Sequence, residues 1–486
     1  MKKLRILAVA FLVVAAGTFL LTNENLFKAD ETDETIIEDG VYIGGIHVGG
    51  MTAEEATEAV NAYVEEIKAQ SVTLVGPKDN VSFSLEKMGV SAQTETAVQE
   101  AISVGQSGNL VKRFKELNDL KTQPYIVDMG LAIDKEKTAE ALHNKSTQID
   151  VKAVNHGLKI ENGEFIYVPG QQGNEVDIVT SVNELNDYIA TEWGNTAVEN
   201  AEFPLTSIVT EPKGSEEELS VVRDLLGSFT TNYKTSGAGR AKNVENGVAK
   251  IHGTVLYPGD ELSVYELVNP FTKENGYELA GSYLNGETVE SFGGGICQVS
   301  TTLYNAVLLS ELEITQRFNH SMTVAYVDLA ADAAIAGTYK DLRFRNNFDF
   351  PVYIEGICKN RNVTFNIYGK ETRDANRKVE YVSNVISVNE PPTEYTLLET
   401  VPVGTFQQTR GKHVGYVAEL WKVVTVNGVE QERTRVNKST YQASSRKVTI
   451  GLGGANDAQR AAVHAAIATG DDAYVQATVA SLGGIY

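Results

Sequence analysis

Across residues 41–48 the apolar side chains Val41, Ile43, Ile46 and Val48 are interleaved with polar or glycine neighbours. That is a strand pattern with a bulge marked by Gly44–Gly45. Thr52 followed by Glu55 forms a capping box, and Ala56, Ala59, Val60 and Val64 then recur at helical spacing. Strands near 72–76 and 81–85 and a helix over 94–104 complete a predicted α+β unit, residues 40–125. A second α+β unit is predicted over 126–210, from helices near 134–145 and 178–191 and strands at 158–160 and 164–168. "EPKGSEEELS" opens a charged linker, 211–224. From 225 to 370 the chain is rich in Gly, Tyr, Asn and Thr and reads as one mixed α/β domain. Short β-rich stretches fill 379–451, with Asn427–Gly428 as a two-residue hairpin turn, and Ala-rich 452–486 predicts a short helical tail.

Charge and composition add to this at the N-terminus. Lys2, Lys3 and Arg5 precede an apolar run from Ile6 to Leu21, the mark of an exported chain. The run is a little shorter than an ordinary spanning helix, and its small residues Ala15-Ala16-Gly17 fall inside it. Residues 1–27 are therefore expected to be an uncleaved membrane anchor with its basic end in the cytoplasm and the rest of the chain outside. Cleavage with secretion is the alternative. Acidic residues 28–39 read as a solvated spacer. At 486 residues the chain exceeds one ordinary domain, so the expected fold class is α+β and multidomain. Its net charge of −22 argues against nucleic acid, whose phosphates demand basic surfaces.

The candidate chemistry centres on a thiol. The chain has 2 cysteines, Cys297 and Cys358, which make no disulfide framework and match no zinc spacing. No cofactor or metal is implied. Ile296, Val299, Leu303 and Val307 recur at helical spacing, placing Cys297 in the first turn of a helix behind Gly293, Gly294 and Gly295. A helix start lowers a thiol pKa, and its unpaired N–H groups can hold an oxyanion. A reactive thiol, a Cys297–Cys358 disulfide and a buried structural thiol remain open readings. His320 is the candidate base and Asp341 the candidate orienting carboxylate, with Asp328 and Asp332 competing for that role. Arg240, Arg317 and Arg345 are candidate carboxylate holders. The three glycines free the backbone to approach a ligand, and Gln298 stands beside the thiol as a further candidate contact.

Several strings point to known families. "SFTTNY", "GRAKNV", "GTVLYPGDELS", "NGYELAGSYLNG", "GGGICQVSTTLYNAV", "RFNHS" and "DLRFRNN" together resemble the VanW family over 225–370. The chain departs from it at "LSVYELV", where the family usually carries a Ser-Phe-Asn stretch. "VYIGGIHVGGMTAEEA" and "AVQEAISVGQSGNLVKRF" resemble a YoaR-type peptidoglycan-binding module, and 158–189 resembles its second half. Gly404, Gly411, Gly415, Gly428 and Gly451, spread through 379–451, resemble the G-five domain, an elongated β module. These resemblances imply two wall-binding units ahead of the VanW domain and a tie to the cell wall and glycopeptide resistance. The order Cys, His, Asp is similar to that of transglutaminase-like cysteine enzymes.

Two function classes follow. One is a cysteine-dependent acyl transferase on peptidoglycan stem peptides, of the L,D-transpeptidase type that joins the third residues of two stems. The alternative is a non-catalytic wall-organising protein with a structural cysteine. Hydrolysis would use the same site with water as acceptor. The expected partners are peptidoglycan and, through residues 6–21, the membrane.

Overall fold

The computed structural model describes residues 35–483 apart from 195, 197, 199, 285 and 286. The expected anchor, residues 1–27, and its membrane contact at 6–21 lie outside the described residues. Among those described, no helix is long and apolar enough to cross a membrane. The chain divides into two compact units, one holding the described residues through Val151 with Asn174–Val209, the other Lys152–Gly173 with Thr210 onward.

In the first unit Val41–Ile43 pairs antiparallel with Ile46–His47 and parallel with Tyr125–Val127. Ser71–Val75 likewise sits between Asn80–Ser84, antiparallel, and Ala201–Pro204, parallel. The capping box forms as expected, Glu55 N–H reaching Thr52 Oγ1 at 3.2 Å and Thr52 N–H reaching Glu55 Oε2 at 2.9 Å. Helix Ala53–Lys68 then buries Ala56, Val60, Val64 and Ile67. One core runs from Ile37 to Leu205. This corrects the expectation of two separate units, 40–125 and 126–210. Each central strand draws its parallel partner from the other half, so neither half closes a sheet or a core alone.

The hairpin Gly157–Glu161 and Glu164–Val168 belongs to the second unit instead, where Leu158 joins Leu219, Val222, Tyr257 and Tyr353 in a small core. That unit is built on a four-stranded antiparallel sheet in the order Asp224–Asn232, Asn362–Gly369, Val352–Lys359, Thr254–Leu256. Helices Ala238–Ile251 and Ile296–Leu309 share its core. Strands Arg377–Asn389, Gly415–Val426 and Val429–Tyr441 form a second sheet, turning at Asn427 and Gly428, whose φ angles of +51° and +78° suit the predicted hairpin. Strands Thr393–Pro402, Arg446–Gly453 and Phe406–Arg410 form a third. Helices Asp457–Ala468 and Asp472–Leu482 lay Val463, Ala466, Val475 and Val479 against Val448, Ile450 and Leu452 of that third sheet. The Ala-rich segment is thus two packed helices.

The β-rich segment is not independent of the central domain, since Ala418 and Leu420 enter the central core. Glu311 fastens the junction. It accepts from Arg377 Nη1 and Nη2 at 2.5 and 2.8 Å and pairs with Lys422 Nζ at 2.5 Å. Burial pushes the Glu311 carboxyl up, but these cations outweigh it and hold it at about 2. Because the folded value is depressed, this stabilisation is present above the ordinary carboxylate range and is lost as pH falls toward 2. Glu311→Gln is expected to cost about 3 kcal/mol in denaturant melts at neutral pH. It should also open residues 370–380 to protease, whereas the parent chain resists cleavage there. Equal melting of parent and variant would contradict this role.

Candidate active site

The thiol helix, Ile296–Leu309, begins at Gly295, whose φ of +114° is closed to most L side chains. A Cβ on Gly294 would lie 2.6 Å from the Ala280 carbonyl oxygen, because strand Leu279–Leu284 packs directly on the glycine run. Gly293 similarly faces the Phe271 ring. The expected role of Gly293, Gly294 and Gly295 in approaching a ligand is therefore corrected. Their missing side chains admit neighbouring protein at the helix start.

Five polar residues of this helix, Gln298, Ser300, Thr301, Thr302 and Asn305, are buried, which is costly unless each finds a partner. Ser300 Oγ donates to Ala333 O at 2.6 Å, and Thr301 Oγ1 accepts from Ala333 N–H at 3.0 Å. Asn305 Nδ2 donates to Ala331 O at 2.8 Å. These bonds fasten residues 331–335 along the helix and bring Ile335 N–H to 3.4 Å from Cys297 Sγ.

The same attachment sets the carboxylate. Asp332 Oδ2 accepts from both the backbone N–H and Nδ1 of His320, at 2.7 and 2.6 Å. With Nδ1 so engaged, Nε2 is the nitrogen that meets the Cys297 thiol, with which His320 is hydrogen-bonded. Asp332 Oδ1 accepts from Arg317 Nη2 at 3.0 Å and from the Tyr441 hydroxyl at 2.5 Å, leaving the residue 1% exposed. Cys297, His320 and Asp332 thus form one chain of contacts.

The electrostatics favour an ion pair. Burial pushes the thiol up, but the hydrogen bond and charge of His320, with the Ile335 N–H, hold it below its ordinary value. Burial alone would lower the imidazole pKa, yet Asp332 and Cys297 raise it to about 9. Burial would raise the Asp332 carboxyl, and His320 and Arg317 keep it low. All three directions favour thiolate, imidazolium and carboxylate together. Cys358 differs, since burial raises its thiol. Both cysteines are free, so the disulfide reading does not hold.

Other expected site residues fall elsewhere. Asp341 accepts from Ser263 Oγ at 2.5 Å and Tyr265 N–H at 2.8 Å and pairs with Arg343 Nε at 3.1 Å. It fixes the start of the short helix Val264–Val268, and the contact with His320 falls to Asp332. Arg317 is spent on protein acceptors, Asp332 O at 2.7 Å, Ser439 Oγ at 2.9 Å and the Asp332 carboxylate, so it positions Asp332 and is not free for a substrate. Gln298 Nε2 donates to Thr231 Oγ1 and Asn232 O at 3.0 and 2.9 Å, pinning the end of strand Asp224–Asn232. Arg240 does line an open cleft of about 1140 Å³, together with Thr230, Asn232, Ser236, Tyr326 and His413. This cleft reaches the thiol's neighbourhood through Tyr326, a residue close enough to feel the Cys297 charge.

The sequence reading ranked Asp332 behind Asp341, although Asp332 stands as a lone acid in the apolar run "LAADAAIAG", where a charge must be paired to be buried. Tyr441 escaped it altogether, because it arrives from a strand 109 positions away. Tyr441→Phe removes a hydrogen bond to a charged group, and Cys297 alkylation near neutral pH is expected to slow about tenfold. An unchanged alkylation rate would show that the hydroxyl does not position Asp332.

A family model described as "VanW like protein" matches residues 239–368. Another, described as "Putative peptidoglycan binding domain", matches 81–193. The uncharacterized protein YoaR of Bacillus subtilis is 32% identical over 161 residues, 33% of this chain and 53% of that protein. The vancomycin B-type resistance protein VanW of Enterococcus faecalis is 25% identical over 150 residues, 29% of this chain and 54% of that protein. The chain thus spans about half the length of the curated relatives it matches. A solved G5 domain of IgA1 protease matches at 23% identity over 16% of this chain and 93% of its own, with a TM-score of 0.13, too low to assign a fold. The thiol helix, His320 and their neighbouring strands lie inside the matched span, so residues 239–368 of this chain are a VanW-like domain.

Proposed function

We propose that the chain acts at the cell wall as a cysteine-dependent acyl transferase on peptidoglycan stem peptides. The observation that carries this reading is the Cys297–His320–Asp332 contact chain beside a polar, arginine-bearing cleft. In the proposed reaction the thiolate attacks a stem-peptide carbonyl, and the Cys297 N–H at the helix start supports the oxyanion. The imidazolium gives its proton to the departing amine as the C–N bond breaks, leaving a thioester and neutral His320. An acceptor amine then attacks the thioester, His320 takes its proton, and the thiolate leaves. Arg240 is the candidate for a stem-peptide carboxylate. The match at 81–193 supports peptidoglycan as the partner of the first unit. Residues 1–27 would hold the chain to the membrane from outside, and 379–451 would serve as a G-five-like β module.

The test is incubation of the full chain with purified disaccharide-peptides and analysis by mass. Crosslinked dimers from the parent and none from Cys297→Ser are expected. Shortened stems without dimers would move the assignment to hydrolysis, and no product at all would leave a wall-binding protein.

A further inference from the structure

Helix Leu110–Asp119, in the first unit, buries no residue. Leu110, Val111 and Phe114 are 80%, 79% and 75% exposed, and at this spacing they share one side of the helix. A helix of a globular protein normally turns such a side inward. Arg113 and Lys115 flank it and Lys121 follows, in a chain of net charge −22, while Lys112 lies on the far side and pairs with Glu116 at 3.5 Å. The helix is firmly seated. Asn109 caps it through Lys112 N–H at 2.9 Å, and Glu116 Oε2 accepts from Gly105 N–H at 2.9 Å. Gln106 Nε2, just ahead of it, donates to Ile36 O at 2.8 Å, and Ile36 is itself 53% exposed. Ile36 lies fifteen positions after Leu21, the end of the N-terminal apolar run, a reach of at most about 50 Å of chain.

We infer that Leu110–Asp119 is a docking element for an anionic phospholipid surface, lying in the interface with Leu110, Val111 and Phe114 among the acyl chains and the cations at the headgroups. An apolar side with basic flanks is the chemistry of interfacial helices. Charge complementarity favours an anionic over a neutral bilayer, and the tie to Ile36 keeps the helix within reach of the N-terminal apolar run. A glycan strand, polar along its length, has no use for the exposed aliphatic side chains. The inference is independent of the acyl-transfer reading.

The test uses the full chain carrying Phe114→Trp, with the parent's spectrum subtracted, in vesicles of phosphatidylglycerol mixed with brominated phosphatidylcholine. The introduced indole is expected to shift to the blue and be quenched by bromine. Each cation is expected to add roughly fivefold to docking. Arg113→Glu, Lys115→Glu and Lys121→Glu combined, or a purely zwitterionic bilayer, should therefore remove most of the quenching. An indole that stays in water on anionic vesicles would overturn the proposal, as would equal quenching on zwitterionic vesicles. Shielding without lipid, with a doubled mass in sedimentation, would assign the face to a second copy. Shielding by isolated sacculi alone would assign it to the wall.

Discussion

His320→Ala is expected to lower acyl transfer by about 10²–10⁴-fold while leaving the fold and wall binding intact. The imidazolium has two tasks. Its charge and hydrogen bond are the largest effects lowering the Cys297 thiol, against a burial that raises it. Without the ring the thiol is mostly protonated at neutral pH, and no acid remains for the departing amine. The parent's pH profile should share this logic. Activity falls on the acid side as the thiolate is protonated, and on the alkaline side as His320 loses its proton near about 9. The stability linkage runs the same way. A folded pKa raised from 6.5 contributes stability that is full below that value and is lost as pH rises through about 9. A rate that keeps rising beyond that point would contradict the imidazolium's role as acid.

Asp332→Asn is expected to be severe for both reactivity and stability. The carboxylate is buried and takes hydrogen bonds from His320 N–H, His320 Nδ1, Arg317 and Tyr441. An amide keeps the shape but removes the charge, leaving Arg317 and the imidazolium uncompensated, at a cost of about 3–5 kcal/mol. The imidazole pKa then falls, the thiol pKa rises, and the ion pair is lost. An ordinary thiol at about pH 6.5 is only about one per cent thiolate, so iodoacetamide labelling of Cys297 there should drop steeply in this variant. Asp341→Asn loosens the turn at Ser263 and Tyr265 and lowers the melting temperature, while Cys297 labels at the parent rate. The reverse ranking, with Asp341 controlling labelling, would restore the assignment favoured by sequence alone.

What the sequence made legible was local. The Thr52–Glu55 box, the Asn427–Gly428 turn and the start of the thiol helix depend on residues a few positions apart, and all three stand where the pattern placed them. The parallel pairing of Ser71–Val75 with Ala201–Pro204 depends on strands more than a hundred residues apart, so one body was read as two. The site divides the same way. Cys297 and His320 announce themselves by residue type and setting. The choice between Asp341 and Asp332 turns on how Ser300, Thr301 and Asn305 fasten a distant segment to the helix, to which the apolar setting of Asp332 is the one local pointer. The arginines mislead for a related reason, since Arg317 and Arg240 look alike in sequence but only Arg317 is consumed by buried acceptors.

The most direct test of the proposed chemistry is the mass of the protein itself, taken after brief acid quenching of the full chain with a disaccharide-peptide donor whose own amine is blocked, so that no acceptor is present. The proposal predicts an adduct of one acyl stem, mapped to the peptide bearing Cys297, discharged by hydroxylamine and absent from Cys297→Ser. A parent chain that forms crosslinked product yet never carries that adduct, or a Cys297→Ser variant that forms product at the parent rate, would contradict it.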